Sequence, residues 1–207
     1  MINSVRRRLT RTVSVACALG TAAFLAPIVS SARADAVNSA SPINLNPCSL
    51  SPVSQPFARW LDFSHYELAP GGDFETSTWT LTGGAELVAG SDPYAATGTP
   101  GHYSLSLPAG SSAQSPQACV DAAYPTIRFF IAGQGLVAVN VVAGGLVIPA
   151  GVAIGAGEWS PSPVELTSSA VAGALSGGTA QMSVTFTTLL GHPRIDDVFI
   201  DPWGHGG

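Results

Sequence analysis

The stretch that decides the fold is GGDFETSTWTLTGGAELVAG, residues 71–90. Trp79 and Leu81 alternate with threonines, so the apolar side chains would share one face of an extended strand and the hydroxyls the other. The two glycines at the start of the stretch allow a sharp turn into it. We therefore predict that β structure begins here, with Phe74 and Trp79 entering the core.

The same period of two returns along the chain. In YSLSL, residues 103–107, Tyr103 and two leucines oppose two serines, which makes Tyr103 a core candidate, and MSVTFTT, residues 182–188, alternates in the same way. The more apolar residues 126–133 and 136–142 fit central strands, and RIDDVFID, residues 194–201, is the last predicted strand. Gly, Pro and Ser clusters separate these runs about every ten residues, which indicates an all-β antiparallel sandwich.

The N-terminus has the features of a secretory signal peptide, which we assign to residues 1–34. Four arginines precede an apolar run over residues 13–26, and Ala32-Arg33-Ala34 forms a small-x-small cleavage site. A membrane anchor is the alternative, but the apolar run is shorter than the roughly 20 residues that span a bilayer. We expect a secreted, extracellular protein without stable membrane insertion after cleavage.

Removal of this leader makes the chain strongly acidic. The remainder keeps three arginines and all thirteen acidic residues and has no lysine, so its formal net charge is −10. Phosphate backbones and anionic membrane surfaces both require a basic surface. We therefore expect neither nucleic acid nor an anionic membrane as a partner.

The sequence divides into a tether, a domain and a tail. Residues 35–70 form a Pro/Ser-rich N-terminal segment that is mostly extended, with a possible short helical turn after residue 57. Residues 71–203 form the predicted sandwich, and residues 204–207 a flexible tail. Two cysteines remain after cleavage, and in an exported chain they indicate one disulfide, although two free thiols are the alternative. The pair is Cys48 and Cys119.

The two ends of the predicted domain resemble a known family. GGDFE followed by a tryptophan, together with the closing IDDVFID, is similar to carbohydrate-binding modules of the galactose-binding-like superfamily. The resemblance covers residues 71–202 and implies a jelly-roll β-sandwich. The overall layout also resembles a group of uncharacterised secreted proteins of actinobacteria.

The resemblance also implies a structural calcium ion where the first and last strands are neighbours. It would be held by Glu75 and Asp197, with Asp73 or Asp196 as helpers, since calcium prefers six to eight oxygen ligands. The alternative is that these acids face solvent or bond turn amides. Alternation places Asp196 and Asp197 on opposite faces of the last strand and leaves open which of them points inward.

The sequence favours a non-catalytic protein. It lacks the G-x-S-x-G and H-E-x-x-H motifs, and both remaining cysteines are expected to be bridged. His192, Asp201 and His205 lie near Asp196 and Asp197 in the sequence, but we interpret this grouping as accidental. An unrecognised hydrolase remains the alternative.

Candidate ligand-binding residues come from aromatic and loop positions. Tyr94 lies in a long loop with Asp92 and His102, and loops carry binding residues more often than strands do. Trp159, which we place at the start of a strand, could stack on a sugar ring. An ordinary polar loop is the alternative. Trp60 and Tyr66 are expected to pin the N-terminal segment onto the sandwich.

The resemblance implies a secreted, non-catalytic carbohydrate-binding-like module that acts on cell-wall or environmental glycans. The alternative is a structural or protein-interaction component of the bacterial cell envelope. In that case the hydroxylated strand face, rather than any aromatic side chain, would contact the partner. The expected partner is accordingly a glycan or a cell-envelope component.

Overall fold

The computed structural model describes residues 52–121, 126–166 and 179–201. All of them belong to the second of two compact units, Leu45–Gly207. The predicted leader, the C-terminal tail, Cys48 and His205 lie outside the described residues. No helix among the described residues is long and apolar enough to span a membrane.

The described residues contain twelve strands and one 3-10 turn, Ala58–Trp60, joined by loops. The strands are β1 (Val53–Ser54), β2 (Tyr66–Leu68), β3 (Thr80–Thr82), β4 (Glu86–Ala89), β5 (Tyr103–Ser106), β6 (Ser112–Gln114), β7 (Ala118–Asp121), β8 (Thr126–Ala143), β9 (Leu146–Pro161), β10 (Glu165–Leu166), β11 (Thr179–Gly191) and β12 (Arg194–Asp201).

Every strand pairing is antiparallel, and the central path runs β1-β2-β12-β8-β11-β6-β3. The other strands attach beside it: β4 pairs with β5 and β5 with β12, β9 and β10 pair with β8, and β7 pairs with β11. The first half of β8 pairs with β12 and the second half with β11, so β8 passes from one layer to the other. The predicted all-β antiparallel sandwich is confirmed.

Gly133 marks the change of layer in β8. Its φ is +71°, and the register with β9 shifts between Ile131 and Gly133. A Cβ at this position would lie 2.7 Å from the carbonyl oxygen of His192. Only glycine combines a positive φ with so close a backbone approach, which allows β8 to serve both layers without interruption.

The inner core lies between the layers and contains the predicted anchors. Phe74 is fully buried and Trp79 is 6% exposed. The Trp79 ring stacks on Phe186 with centroids 5.7 Å apart, and its Nε1 donates to the carbonyl of Pro70 at 3.1 Å. The predicted burial of Phe74 and Trp79 is confirmed. Their rings pack against other aromatic rings, and the indole N–H of Trp79 donates to a backbone carbonyl.

Two sequence-based placements are wrong. Tyr103 is 45% exposed, whereas Ser104 and Ser106 are buried. The reason is that Arg194 packs on Ser104 and His192 on Ser106, while Tyr103 lies at the end of β5, opposite Ala89 at the end of β4. Trp159 does not begin a strand, because it lies near the end of the long strand β9.

A second core covers the outer face of the β12–β8 layer. It contains Phe57, Tyr66, Phe130 and Phe199, all fully or almost fully buried. Phe129 faces the inner core and Phe130 the outer one, as neighbours on a strand must. The N-terminal segment thus packs on the sheet through Tyr66, as predicted, and Trp60 packs against the same cluster.

Asp62 and Arg128 fasten this segment to the sheet. Arg128 Nη1 donates to Asp62 Oδ2 at 2.6 Å, and the Tyr66 hydroxyl donates to the same oxygen at 2.7 Å. Arg128 also donates from Nε and Nη2 to the carbonyl of Ser162. Burial acts to raise the pKa of Asp62, but the hydrogen bonds from Tyr66, Ser64 and Arg128 lower it to about 2.

Replacement of Asp62 by asparagine should lower the free energy of unfolding by about 2 kcal/mol, since charge-assisted hydrogen bonds are lost. The folded pKa of Asp62 lies below its ordinary value of 3.8, so its contribution should vanish as the pH falls toward about 2. Urea unfolding at several pH values checks this. The control Glu158→Gln, at an exposed carboxylate, should change neither the free energy of unfolding nor its pH dependence. A free energy of unfolding that Asp62→Asn leaves unchanged above pH 5 would contradict the prediction.

The predicted disulfide is described on one side only. Cys119 lies on β7 and is disulfide-bonded. Its expected partner, Cys48, lies outside the described residues, so the pairing stays a prediction.

Candidate functional site: a buried acidic cluster beside a polar strand face

A β-bulge in β12 turns two consecutive carboxylates into the protein. The register between β12 and β8 shifts between Asp196 and Phe199, and Asp197 has a φ of +45°. Strict alternation therefore fails here, and both Asp196 and Asp197 are buried. Alternation left open which of the two aspartates points inward. Because of the bulge, both do, and neither faces solvent.

The loop between β4 and β5 adds a third carboxylate, Asp92. One carboxylate oxygen from each of Asp92, Asp196 and Asp197 lies within 4.8 Å of the others, and we call these three residues the acidic cluster. Asp196 Oδ2 accepts hydrogen bonds from the Ser91 hydroxyl at 2.6 Å and from the Asp92 amide at 2.8 Å. The cluster thus ties the loop directly to β12.

The acidic cluster carries more negative charge than its surroundings neutralise. Burial raises the pKa of Asp196 to about 7; burial and the neighbouring carboxylates raise that of Asp197 to about 8. Asp92 is 5% exposed, and burial raises its pKa while contact with Asp197 acts to lower it. Its Oδ2 accepts no hydrogen bond from an amide, a hydroxyl or a cationic group. Among the described residues, no arginine or histidine forms an ion pair with any of the three. An orphaned carboxylate oxygen among oxygen donors fits a calcium ion.

Two of the predicted calcium ligands lie outside the acidic cluster, although the charge of Asp73 still acts to raise the pKa of Asp197. Glu75 Oε1 accepts the amides of His102 and Tyr103 at 2.6 and 3.0 Å, and its Oε2 lies 3.1 Å from His102 Nδ1. Asp73 Oδ1 accepts the amide of Glu75 at 3.4 Å. The structure therefore groups Asp196 and Asp197 with Asp92, while Glu75 holds the start of β5.

The predicted sugar-binding residues are also separated. Tyr94 donates its hydroxyl to the carbonyl of Trp159 at 2.6 Å, and its ring contacts Trp60 and Phe130. Asp92 is buried in the acidic cluster, and His102 is exposed beside Glu75. Tyr94 therefore packs the loop onto the outer core, and of the four residues Trp159 alone lies beside a row of polar side chains.

That row crosses the outer face of the sheet from β4 to β9. Glu86 pairs with Ser106 on β5, and Arg194 on β12 pairs with both Ser106 and Ala132. The Arg194 guanidinium lies 5.6 Å from the centroid of the Trp159 ring. Cross-strand neighbours point to the same side of a sheet, so these side chains form one surface.

Hydrogen bonds fix the polar groups of this surface. Arg194 donates from Nε and Nη2 to the Ser104 hydroxyl at 3.0 and 2.6 Å, and from Nη2 to the carbonyls of Ala89 and Gly90. The Ser106 hydroxyl lies 3.1 Å from Nε2 of the exposed His192. We call Glu86, Ser106, His192, Arg194 and Trp159 the polar strand face.

Sequence reasoning missed four members of the polar strand face. Glu86, Ser106 and the neighbours His192 and Arg194 come from three separate segments, so no local motif joins all four. One signal was present: Arg194 is one of only three arginines beyond residue 34.

A separate open cleft of about 420 Å³ lies around Leu61, Asp62, Phe63, Ser64, Arg128 and Val164.

Comparisons with known proteins give similarities of fold at low identity. No protein-family model and no curated protein matches the chain. The C-terminal family 22 carbohydrate-binding module of Clostridium thermocellum Xyn10B is 15% identical, with 67% of this chain and 94% of that one covered and a TM-score of 0.44. TmCBM61, solved in complex with β-1,4-galactotriose, is 18% identical over 63% of this chain and 94% of that one, with a TM-score of 0.40.

A third similar structure is the enzymatically active domain of bacteriophage CBA120 tailspike protein 4. It is 17% identical over 64% of this chain, with a TM-score of 0.41. This chain spans only 20% of the tailspike domain. Carbohydrate-binding modules, the class that residues 71–202 resemble, are thus among the similar structures.

Proposed function

We propose that the chain is a secreted, non-catalytic carbohydrate-binding protein whose ligand lies along the polar strand face. The observation that carries the proposal is the row in which a half-buried Trp159 stands beside a fixed arginine, a serine, a histidine and a glutamate. An aromatic ring next to a few convergent polar groups is the usual composition of a sugar site.

The row suits the chemistry of a pyranose. A sugar ring has an apolar C–H face that stacks on an indole and an edge of hydroxyls that needs donors and acceptors. Arg194 and His192 offer N–H groups, while Glu86 offers carboxylate oxygens. Because Arg194 is already held by Ser104 and two backbone carbonyls, little side-chain entropy is lost when a ligand binds.

Charge favours a neutral glycan over an acidic one. The polar strand face pairs one arginine with one glutamate, and the chain beyond residue 34 carries a formal net charge of −10. An anionic polysaccharide would be repelled at long range by this charge. A neutral cell-wall or environmental polysaccharide meets no such barrier.

We further propose that a structural calcium ion is bound by Asp92, Asp196 and Asp197. The orphaned Oδ2 of Asp92 and the raised pKa values of Asp196 and Asp197 support this assignment. The ion would neutralise three buried carboxylates and fasten the β4–β5 loop to β12. Arg194 lies on the same strand, two residues before Asp196, so the ion would also steady the polar strand face.

Substitutions on the polar strand face should abolish binding without unfolding the protein. We expect Trp159→Ala and His192→Ala to lower retention on polysaccharide gels at least tenfold, since aromatic stacking and a hydroxyl partner are lost. Phe63→Ala removes an exposed aromatic ring at the separate cleft and serves as the matched control. Full retention of both variants, with the wild type retained, would contradict this site.

The alternative is an envelope protein that binds another protein, because a half-buried arginine and tryptophan at the surface also occur in protein interfaces. Gel retardation by a purified polysaccharide distinguishes the two proposals. Retardation supports sugar binding, whereas free migration together with capture of a protein from the cell envelope supports the alternative.

A further inference from the structure

The outer face of the second layer is a broad surface without charge. It is formed by β9, the second half of β8, β11, β6 and β3, which lie side by side. Cross-strand rows run over it: Ile154 pairs with Leu136, and Leu136 with Leu190. Ala138 pairs with both Val152 and Thr187 in the next row. We call this surface the uncharged face.

The composition of the uncharged face is unusual for this protein. Ile154 is 66% exposed, Leu190 65%, Val147 67% and Val152 48%. Across the four rows between Val147 and Ile154, the described residues include no charged side chain, although the chain carries thirteen acids. The exposed apolar side chains lie on β9 and at the end of β11, half-buried ones lie on β8 between them, and hydroxyl and amide side chains continue the face on β6 and β3. Exposed apolar surface of this kind marks an interaction site.

We propose that the uncharged face binds a second copy of this chain in a two-fold dimer. The net charge of the chain beyond residue 34 is −10, so two copies repel each other wherever acidic surfaces meet. The uncharged face is a surface on which two copies can approach without bringing like charges together. A two-fold axis would place the apolar rows of one copy on those of the other, since such an interface is self-complementary.

The size of the uncharged face fits a weak dimer. Strands lie about 4.8 Å apart and rows about 6.8 Å apart; two rows cross all five strands and two cross only β9, β8 and β11, which gives about 500 Å² per copy. Two such faces bury about 1,000 Å² in total, below the roughly 1,200–2,000 Å² of standard stable interfaces, so the dimer should be weak and reversible. Sheets that pack face to face lie about 10 Å apart, which the flat Val, Ile and Thr rows permit.

The test is sedimentation equilibrium of the full chain as purified, at a series of protein concentrations. We expect the wild type to reach twice the monomer mass, and we expect Ile154→Arg and Val152→Arg each to raise the dimer Kd about 100-fold, because an unpaired charge would be buried. Leu61→Arg is the matched control, since Leu61 is 82% exposed and lies away from these rows.

Each outcome decides the dimer proposal separately from sugar binding. Far-UV circular dichroism and Tm identify any variant that fails to fold, and the second variant then carries the test. A wild type that stays monomeric at every concentration overturns the proposal, and so does an unchanged dimer in both arginine variants. Trp159→Ala should remain dimeric, so loss of sugar binding and loss of the dimer are distinguishable.

Discussion

Replacement of Phe130 by alanine should lower the free energy of unfolding by about 3–5 kcal/mol, the range for a fully buried phenylalanine. Phe130 is completely buried on the outer face of β8, and its ring lies 5.2 Å from those of Phe57 and Tyr94 and 5.3 Å from that of Trp60. The cavity would remove the contact surface of both the N-terminal segment and the β4–β5 loop.

Equilibrium unfolding in urea measures this loss. Phe63→Ala makes the same chemical change at a side chain that is 62% exposed, so it should stay within about 0.5 kcal/mol of the wild type. Equal stability of the two variants would mean that the outer core does not hold the N-terminal segment to the sheet. Proteolysis near residue 60 should also become faster in Phe130→Ala alone.

Chelation of calcium should lower the Tm by roughly 5–10 °C, since a ligand at about one hundred times its Kd stabilises by about 2.7 kcal/mol. The effect should depend on pH. Without the ion, burial raises the pKa of Asp196 to about 7 and of Asp197 to about 8, so the folded state holds protons that the unfolded state releases. Stability of the ion-free protein should then fall as the pH rises from about 4 to about 8.

The gain from calcium should accordingly be larger at pH 8 than at pH 5, because protons compete for the same carboxylates. Thermal melts with calcium or with a chelator at the two pH values measure it. Asp92→Asn should lose most of the calcium response, while Glu75→Gln, at a carboxylate outside the acidic cluster, should keep it. A Tm that chelation leaves unchanged at both pH values would rule out the ion.

The alternation of apolar and polar residues predicted the fold well because the two faces of a strand are determined by neighbouring residues in the sequence. Trp79, Met182, Val184 and Phe186 all face the core as their alternation requires. The prediction for Tyr103 was wrong for a reason that lies outside its own strand: Arg194 and His192 cover Ser104 and Ser106, while the tyrosine at the end of β5 stays exposed.

The acidic cluster shows what alternation cannot predict. Strict alternation puts Asp196 and Asp197 on opposite faces, but the bulge after Asp196 buries both. The third member, Asp92, lies 104 residues from Asp196, and a contact of that kind follows from tertiary packing alone. The polar strand face could not be predicted for the same reason, because its members come together only when β4, β5, β9 and β12 assemble.

Affinity electrophoresis measures binding of a neutral polysaccharide directly. The full chain would be run through native gels cast with a panel of neutral cell-wall and plant polysaccharides, beside Trp159→Ala. We expect at least one polysaccharide to slow the wild type and to leave Trp159→Ala at its mobility in an empty gel. Free migration of the wild type through every gel, or equal slowing of both proteins, would contradict it.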